Sequence, residues 1–295
     1  MSAAAPAPAI ASPGSGTSGT AGAARIRATF EAAKSDGRTA LIAYIVAGYP
    51  DGDTSLAAAL AAIDGGADVL ELGLPYSDPL ADGATLQHAS SVALRNGATF
   101  ERSLDLLARI HRARPTVPLV PMAYVNQAVG RDDPEAALRR LAEAGASGLI
   151  LADLTIDEGA EIEAAARAAD LALVYLVAPT TAPDRRIAIA HRSGGYLYAV
   201  SFVGVTGARR SLPPGVGAFL RDVRARSPIP VAAGFGVSRP GHVRQLGRVV
   251  DGVIVGSALV DALGDEGDVA RMADLVRGLA VAAQRDLTPR LPPEV

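Results

Sequence analysis

Two stretches of the chain carry carboxylates that invite a chemical reading. In VLELG, Glu71 stands between Leu70 and Leu72, inside an apolar run of the length and type of a strand buried on both faces. A carboxylate there loses water whether it faces a barrel interior or a surrounding helix layer, and desolvation raises its pKa. A carboxyl group titrating near neutrality can both give and take a proton. The competing explanation is a buried ion pair with a neighbouring Arg or Lys, because buried charge needs a partner. The second stretch is PYSDPLADGATLQ, residues 75–87, polar and proline-bearing as a substrate-covering loop would be. It holds Asp78 and Asp82. Asp before Pro79 and Asp before Gly83 are also ordinary turn formers; Asp78 is read that way, and spacing alone leaves Asp82 evenly divided between catalyst and turn residue.

Glycine-rich turns suggest a second kind of chemistry. VTG (Val205 to Gly207), GFG (Gly234 to Gly236) and VGSA (Val255 to Ala258) each follow a strand-like run. Glycine lets backbone N–H groups approach an anion closely, and such turns on adjacent strands of one barrel form a phosphate site that requires no lysine. Tyr44, Tyr124 and Tyr198 fall within or near the ends of strand-like runs, and Phe235 ends another. In a chain with seven Tyr, five Phe and no Trp, these four point to a flat apolar pocket, although packing inside a barrel would account for two of them. His111, His191 and His242 fall in helices or at helix ends and are read as solvated; His88 follows Gln87 at a helix start. No H-E-x-x-H or comparable cluster occurs, so no metal is expected.

The elements that position these groups follow from the repeating pattern. The chain has 295 residues, 49% hydrophobic and 20% charged, with 31 Gly and 20 Pro, consistent with many turns between short elements. Strands are predicted near Thr39 to Ala47, Val69 to Gly73, Leu119 to Tyr124, Gly148 to Leu151, Leu173 to Val177, Tyr196 to Ser201, Val231 to Phe235 and Gly252 to Val255. Helical patterns alternate with them, for example Asp133 to Ala144, Asp157 to Ala169 and a closing helix over Asp268 to Ala283. Near-continuous apolar strands with right-handed crossovers, repeated eight times, predict a single (β/α)8 TIM barrel of α/β class; an open doubly wound sheet is the alternative, against which the first βα turn, AGYPDGDTS, lacks a G-x-G-x-x-G fingerprint. In such a barrel the site lies at strand C-termini, where Glu71 and the glycine turns fall.

Residues 1–24 are uncharged and rich in Ala, Pro, Gly and Ser, and are read as a disordered tail, leaving 25–295 as the barrel domain. A net charge of −3 from 28 basic and 31 acidic side chains, without long runs of either sign, argues against nucleic acid and membrane surfaces as partners. The absence of cysteine removes disulfides, thiolate metal sites and a cysteine nucleophile. With no apolar run approaching the ~20 residues of a membrane span and no basic, apolar leader, a cytoplasmic location is expected.

From about Arg38 to Ala262 the chain resembles the α subunit of tryptophan synthase, an indole-3-glycerol-phosphate lyase. The most specific piece is ADVLELGLPYSDPLADGATLQHA, Ala67 to Ala89; LIAYIVAGYPD, PMAYVNQ, LILADL, VAPTTAPDRR, FVGVTGAR, AAGFGVS and IVGSALV follow in the family's order. The resemblance implies Glu71 as general acid/base and Asp82 as the carboxylate that accepts the indole N1–H. It further implies Tyr44, Tyr124, Tyr198 and Phe235 as the indole pocket, and Gly207, Gly236, Gly256 and Ser257 as the phosphate site. Thr206 is implied on a loop that closes over substrate and touches Asp82. No cofactor is implied on this chain; pyridoxal phosphate (PLP) is expected on a partner β subunit that takes up the indole, in an α2β2 tetramer. Two departures, Ala84 and Thr155 where the family usually has proline, bear on that partner interface, and leave a stand-alone lyase as one alternative. A regulatory subunit that binds a sugar phosphate without cleaving it, and another phosphate-binding barrel such as an isomerase, are the others; the isomerase would place paired aspartates at the ends of strands 1 and 5, whereas strand 1 ends in Ala-Gly-Tyr.

Overall fold

The computed structural model describes residues 16–130, 133–200, 215–234 and 236–284. Nine parallel strands, β1 (Ala40–Val46), β2 (Val69–Gly73), β3 (Leu119–Ala123), β4 (Gly148–Leu151), β5 (Ala172–Val174), β6 (Leu176–Val177), β7 (Leu197–Val200), β8 (Val231–Gly234) and β9 (Gly252–Val255), form one sheet in the order β5-β4-β3-β2-β1-β9-β8-β7-β6. The two ends of that order are adjacent in the chain: only Tyr175 separates β5, which pairs with β4, from β6, which pairs with β7. The sheet therefore closes through a single predicted strand, Leu173 to Val177, and the architecture is the eight-stranded α/β barrel.

The helices among the described residues are α1 (Ala21–Ser35), α2 (Gly52–Asp64), α3 (Ala84–Arg95), α4 (Phe100–Ala113), α5 (Val125–Ala128), α6 (Pro134–Glu143), α7 (Ala160–Ala168), α8 (Pro183–Arg192), α9 (Val216–Arg226), α10 (Pro240–Leu246), α11 (Ser257–Leu263) and α12 (Val269–Ala282). None is long and apolar enough to cross a membrane. Side-chain alternation along each strand divides the core in two. Leu41, Ala43 and Ile45 of β1, with Leu70 and Leu72 of β2, pack outward against the helices, while Ile42, Val69, Val120, Ile150, Val174 and Ile254 fill the barrel. Glu71, out of phase with Leu70 and Leu72 and cross-strand from Tyr44 and Val120, belongs to the inner set.

The expected boundary at residue 24 is corrected for residues 16–24, while residues 1–15 lie outside the described set. Helix α1 starts at Ala21, capped by Thr20, and its Ala23, Ile26, Phe30 and Ala33 pack with the interior cluster as a plug of the barrel. Thr17 is buried, its Oγ1 accepting the Leu173 N–H at 2.8 Å. A segment of small uncharged residues looks too poor in side chain to fold, but here small size is the requirement: a Cβ on Gly22 would sit 1.9 Å from the Ser147 carbonyl oxygen.

Candidate active site

At the C-terminal ends of the strands lies a cavity of about 700 Å³. Its wall is built from Tyr44 of β1, Met122 of β3, Leu176 of β6, Tyr198 and Val200 of β7, Gly234 of β8 and Ile254 of β9, roofed by Ala81, Asp82 and Gly83 from the loop after β2. Gly236, Val237 and Ser238 follow β8 into the wall, and Gly256, Ser257 and Ala258 follow β9 at the start of α11. Two of these side chains are seated by missing methyls. A Cβ on Gly73 would lie 2.0 Å from the Tyr44 hydroxyl, and one on Gly234 would lie 2.7 Å from that of Tyr198. Both tyrosines have pKa values well above the ordinary phenol, chiefly from burial and then from the charges of Asp82 and Glu71.

Glu71 is fully buried and lies off this wall, two residues before Gly73 on the same inner face of β2. Tyr196 donates its hydroxyl proton to Glu71 Oε1 at 2.5 Å; Oε2 is buried without a hydrogen-bond partner. Burial pushes the Glu71 carboxyl up to about 8, partly opposed by the Tyr196 hydrogen bond. The ion-pair explanation offered by the sequence is not what surrounds it: its partner is a neutral phenol. Tyr196 escaped the sequence reading as a site residue. The available signal was its spacing of two from Tyr198, which puts both rings on one face of a strand.

Asp82 is partly buried, and desolvation raises its pKa to about 6. Its carboxylate is not consumed by turn chemistry, since α3 begins after Gly83 with no side-chain cap. Asp78 does behave as a turn residue, exposed and accepting the Ser77 hydroxyl at 2.5 Å. Tyr124, expected in the pocket, is absent from the wall; its hydroxyl instead accepts the Ala81 N–H at 2.9 Å, and its ring stacks on Tyr76. Thr206, Gly207 and Phe235 lie outside the described residues. The wall residues Met122, Ala152 and Leu176 carried no sequence signal beyond being apolar at strand ends. His242, read as solvated, is buried at the start of α10 with Nε2 2.9 Å from Arg239 Nε. Among the described residues no group of three or more His, Cys, Asp or Glu side chains is arranged to hold a metal.

The arrangement offers a fully buried carboxyl that burial pushes toward protonation, a second carboxyl partly buried in the roof, an aromatic and aliphatic wall, and glycine turns after β8 and β9 at the same cavity. A model of the tryptophan synthase alpha chain family matches residues 30–285. The tryptophan synthase alpha chain of Roseiflexus sp. is 46% identical over 259 residues, covering 86% of this chain and 98% of the relative. Mycobacterium tuberculosis tryptophan synthase superposes with a TM-score of 0.82 at 39% identity, over 88% of this chain and 98% of that one. The alpha subunit from Legionella pneumophila gives 0.80 at 30% identity, over 88% and 98%. The chain therefore belongs to the tryptophan synthase alpha chain family, lyases that act on indole-3-glycerol phosphate.

Proposed function

We propose that the cavity performs the retro-aldol cleavage of indole-3-glycerol phosphate to indole and glyceraldehyde 3-phosphate, with Glu71 and Asp82 in different roles. The carrying observation is the placement of the two carboxyls, Glu71 enclosed in the barrel with only the Tyr196 hydroxyl on it and Asp82 partly buried in the roof of the cavity, so that burial raises Glu71 further, to about 8 against about 6. At pH 7 Glu71 holds a proton and Asp82 holds a charge. Glu71 turns from Tyr196 toward the cavity and protonates C3 of the indole; its carboxylate then accepts the proton of the hydroxyl on the adjacent side-chain carbon as the C–C bond breaks. Asp82 accepts a hydrogen bond from N1–H and stabilises the positive charge that C3 protonation places on the ring. Tyr44 and Tyr198 flank the indole, joined by Phe235. The N–H groups of Gly236, Gly256 and Ser257, with Gly207, hold the phosphate, and Thr206 closes over the substrate against Asp82. The decisive experiment is indole release by the Glu71→Gln variant, expected to fall by a factor of at least about 100. Unchanged turnover would overturn the assignment.

The roof loop also supports a partner. Leu80, on the same loop as Asp82, is 95% exposed, an apolar side chain held out beside the site. We assign it to the contact with a PLP-bearing β subunit in an α2β2 assembly, which receives the indole. Indole release with and without added β subunit tests this: strong stimulation is expected, and full activity alone would favour a stand-alone lyase. The enzyme's location is taken to be the cytoplasm.

A further inference from the structure

The roof loop is held from one side by the turn that follows β3. Gln127 Nε2 donates to the Pro75 carbonyl at 2.6 Å where the loop begins. The Tyr124 ring stacks on Tyr76 at 5.0 Å between centroids and 26° between planes, and Asn126 Nδ2 reaches the Tyr76 hydroxyl at 3.4 Å. The Tyr124 hydroxyl then accepts the Ala81 N–H, one residue before Asp82. The turn itself is fixed by Asp153 Oδ1, which accepts the Val125 N–H at 2.8 Å. On the far side, Gln87 Nε2 donates to the Asp82 carbonyl at 2.9 Å. The carboxylate is thus set in the roof by its backbone neighbours, with Tyr124 supplying the one side-chain bond to the residue immediately before it.

We infer that Tyr124 is a positioning residue: its hydroxyl, braced by the stacked Tyr76 ring, fixes the Ala81 amide and so aims the Asp82 carboxylate into the cavity. This rests on the role proposed above for Asp82. An acceptor that holds an amide adjacent to a catalytic group acts on geometry, and losing it changes only what depends on that group. Tyr124→Phe keeps the stacked ring and removes the acceptor.

The test is a double-mutant cycle with Asp82→Ala, which removes the acceptor, in the full chain, reading the binding of indole-3-propanol phosphate by indole fluorescence anisotropy. The chain contains no Trp, so the bound indole is the sole indole fluorophore. Tyr124→Phe is expected to weaken binding about tenfold in the otherwise unsubstituted chain, the size of one lost hydrogen bond, and less than twofold in the Asp82→Ala background. In turnover, Tyr124→Phe is expected to move the acidic limb of the pH profile downward from about 6, because a loosened roof readmits water to Asp82. Equal losses in both backgrounds would show Tyr124 acting on the ligand independently of Asp82 and would overturn the inference, as would no loss in the unsubstituted chain. Full-strength binding by Asp82→Ala alone would instead overturn the role of Asp82, and the inference with it.

Discussion

Replacing Glu71 by glutamine should make the protein more stable while it removes activity, and the size of the gain follows from the site. In the folded chain burial holds the Glu71 carboxyl near 8, against an ordinary value of 4.5. Between those two pH values the folded state keeps a proton that the unfolded chain releases, so stability falls as pH rises from 4.5 through 8. At about 1.4 kcal/mol per pH unit, this amounts to about 3 kcal/mol at pH 7 and on the order of 5 kcal/mol above pH 8. Glutamine carries no such titration and retains a carbonyl oxygen for the Tyr196 hydroxyl. The difference in urea stability between Glu71→Gln and the unsubstituted chain should therefore be near zero at about pH 4.5, grow with pH, and level off above about 8; other titrating groups cancel in the difference. At pH 7 the melting temperature should rise by about 6 °C. Parallel stability curves, or a variant that is less stable across the whole range, would show that Glu71 is ionised and compensated in the folded state, and the desolvation argument would fail.

Tyr196→Phe removes the hydrogen bond that holds the Glu71 pKa down, so the basic limb of the pH–kcat profile should move upward from about 8 by one to two pH units, about the strength of a hydrogen bond to a charged group; an unmoved limb would separate that limb from Glu71. Gly73→Ala drives a methyl against the Tyr44 hydroxyl and should raise KM and lower kcat. Adding Tyr44→Phe should recover part of the loss, because the oxygen is the nearest of three crowded atoms; no recovery would place the damage elsewhere. Thr17→Val strands the buried Leu173 N–H and should cost about 1–3 kcal/mol in urea unfolding with kcat unchanged, while a neutral effect would return residues 16–20 to the status of a dispensable tail.

What the sequence could disclose of this site depended on how far each residue's meaning lies from its own neighbours. Glu71 was legible because a carboxylate in VLELG conflicts with the residues beside it. Its placement toward the interior was not, since alternation leaves two faces and only closure of the barrel chooses between them. Asp82 is ambiguous by spacing because its local surroundings, Asp-Gly in a loop, fit a turn as well as a catalyst; only the resemblance to the family favours the catalyst, and the uncapped start of α3 shows that Asp82 does not cap that helix. Tyr196 was hidden for a different reason: its partner stands 125 residues away, and nothing near Tyr196 reports a hydroxyl directed at a carboxylate. The strand positions follow the pattern within a residue or two, while the bond of the Tyr124 hydroxyl to the Ala81 amide was not legible, because position along a strand does not determine where a hydroxyl at its end will bond. The same reasoning accounts for the different tuning of the two carboxyls. Glu71 is enclosed on all sides inside the barrel and receives one neutral donor, so burial dominates and the carboxyl keeps its proton. Asp82 hangs from a roof with solvent above it, so desolvation is partial and the charge survives at neutral pH. Depth in the barrel, rather than residue type, separates the two carboxyls and so supports the division of labour proposed for them.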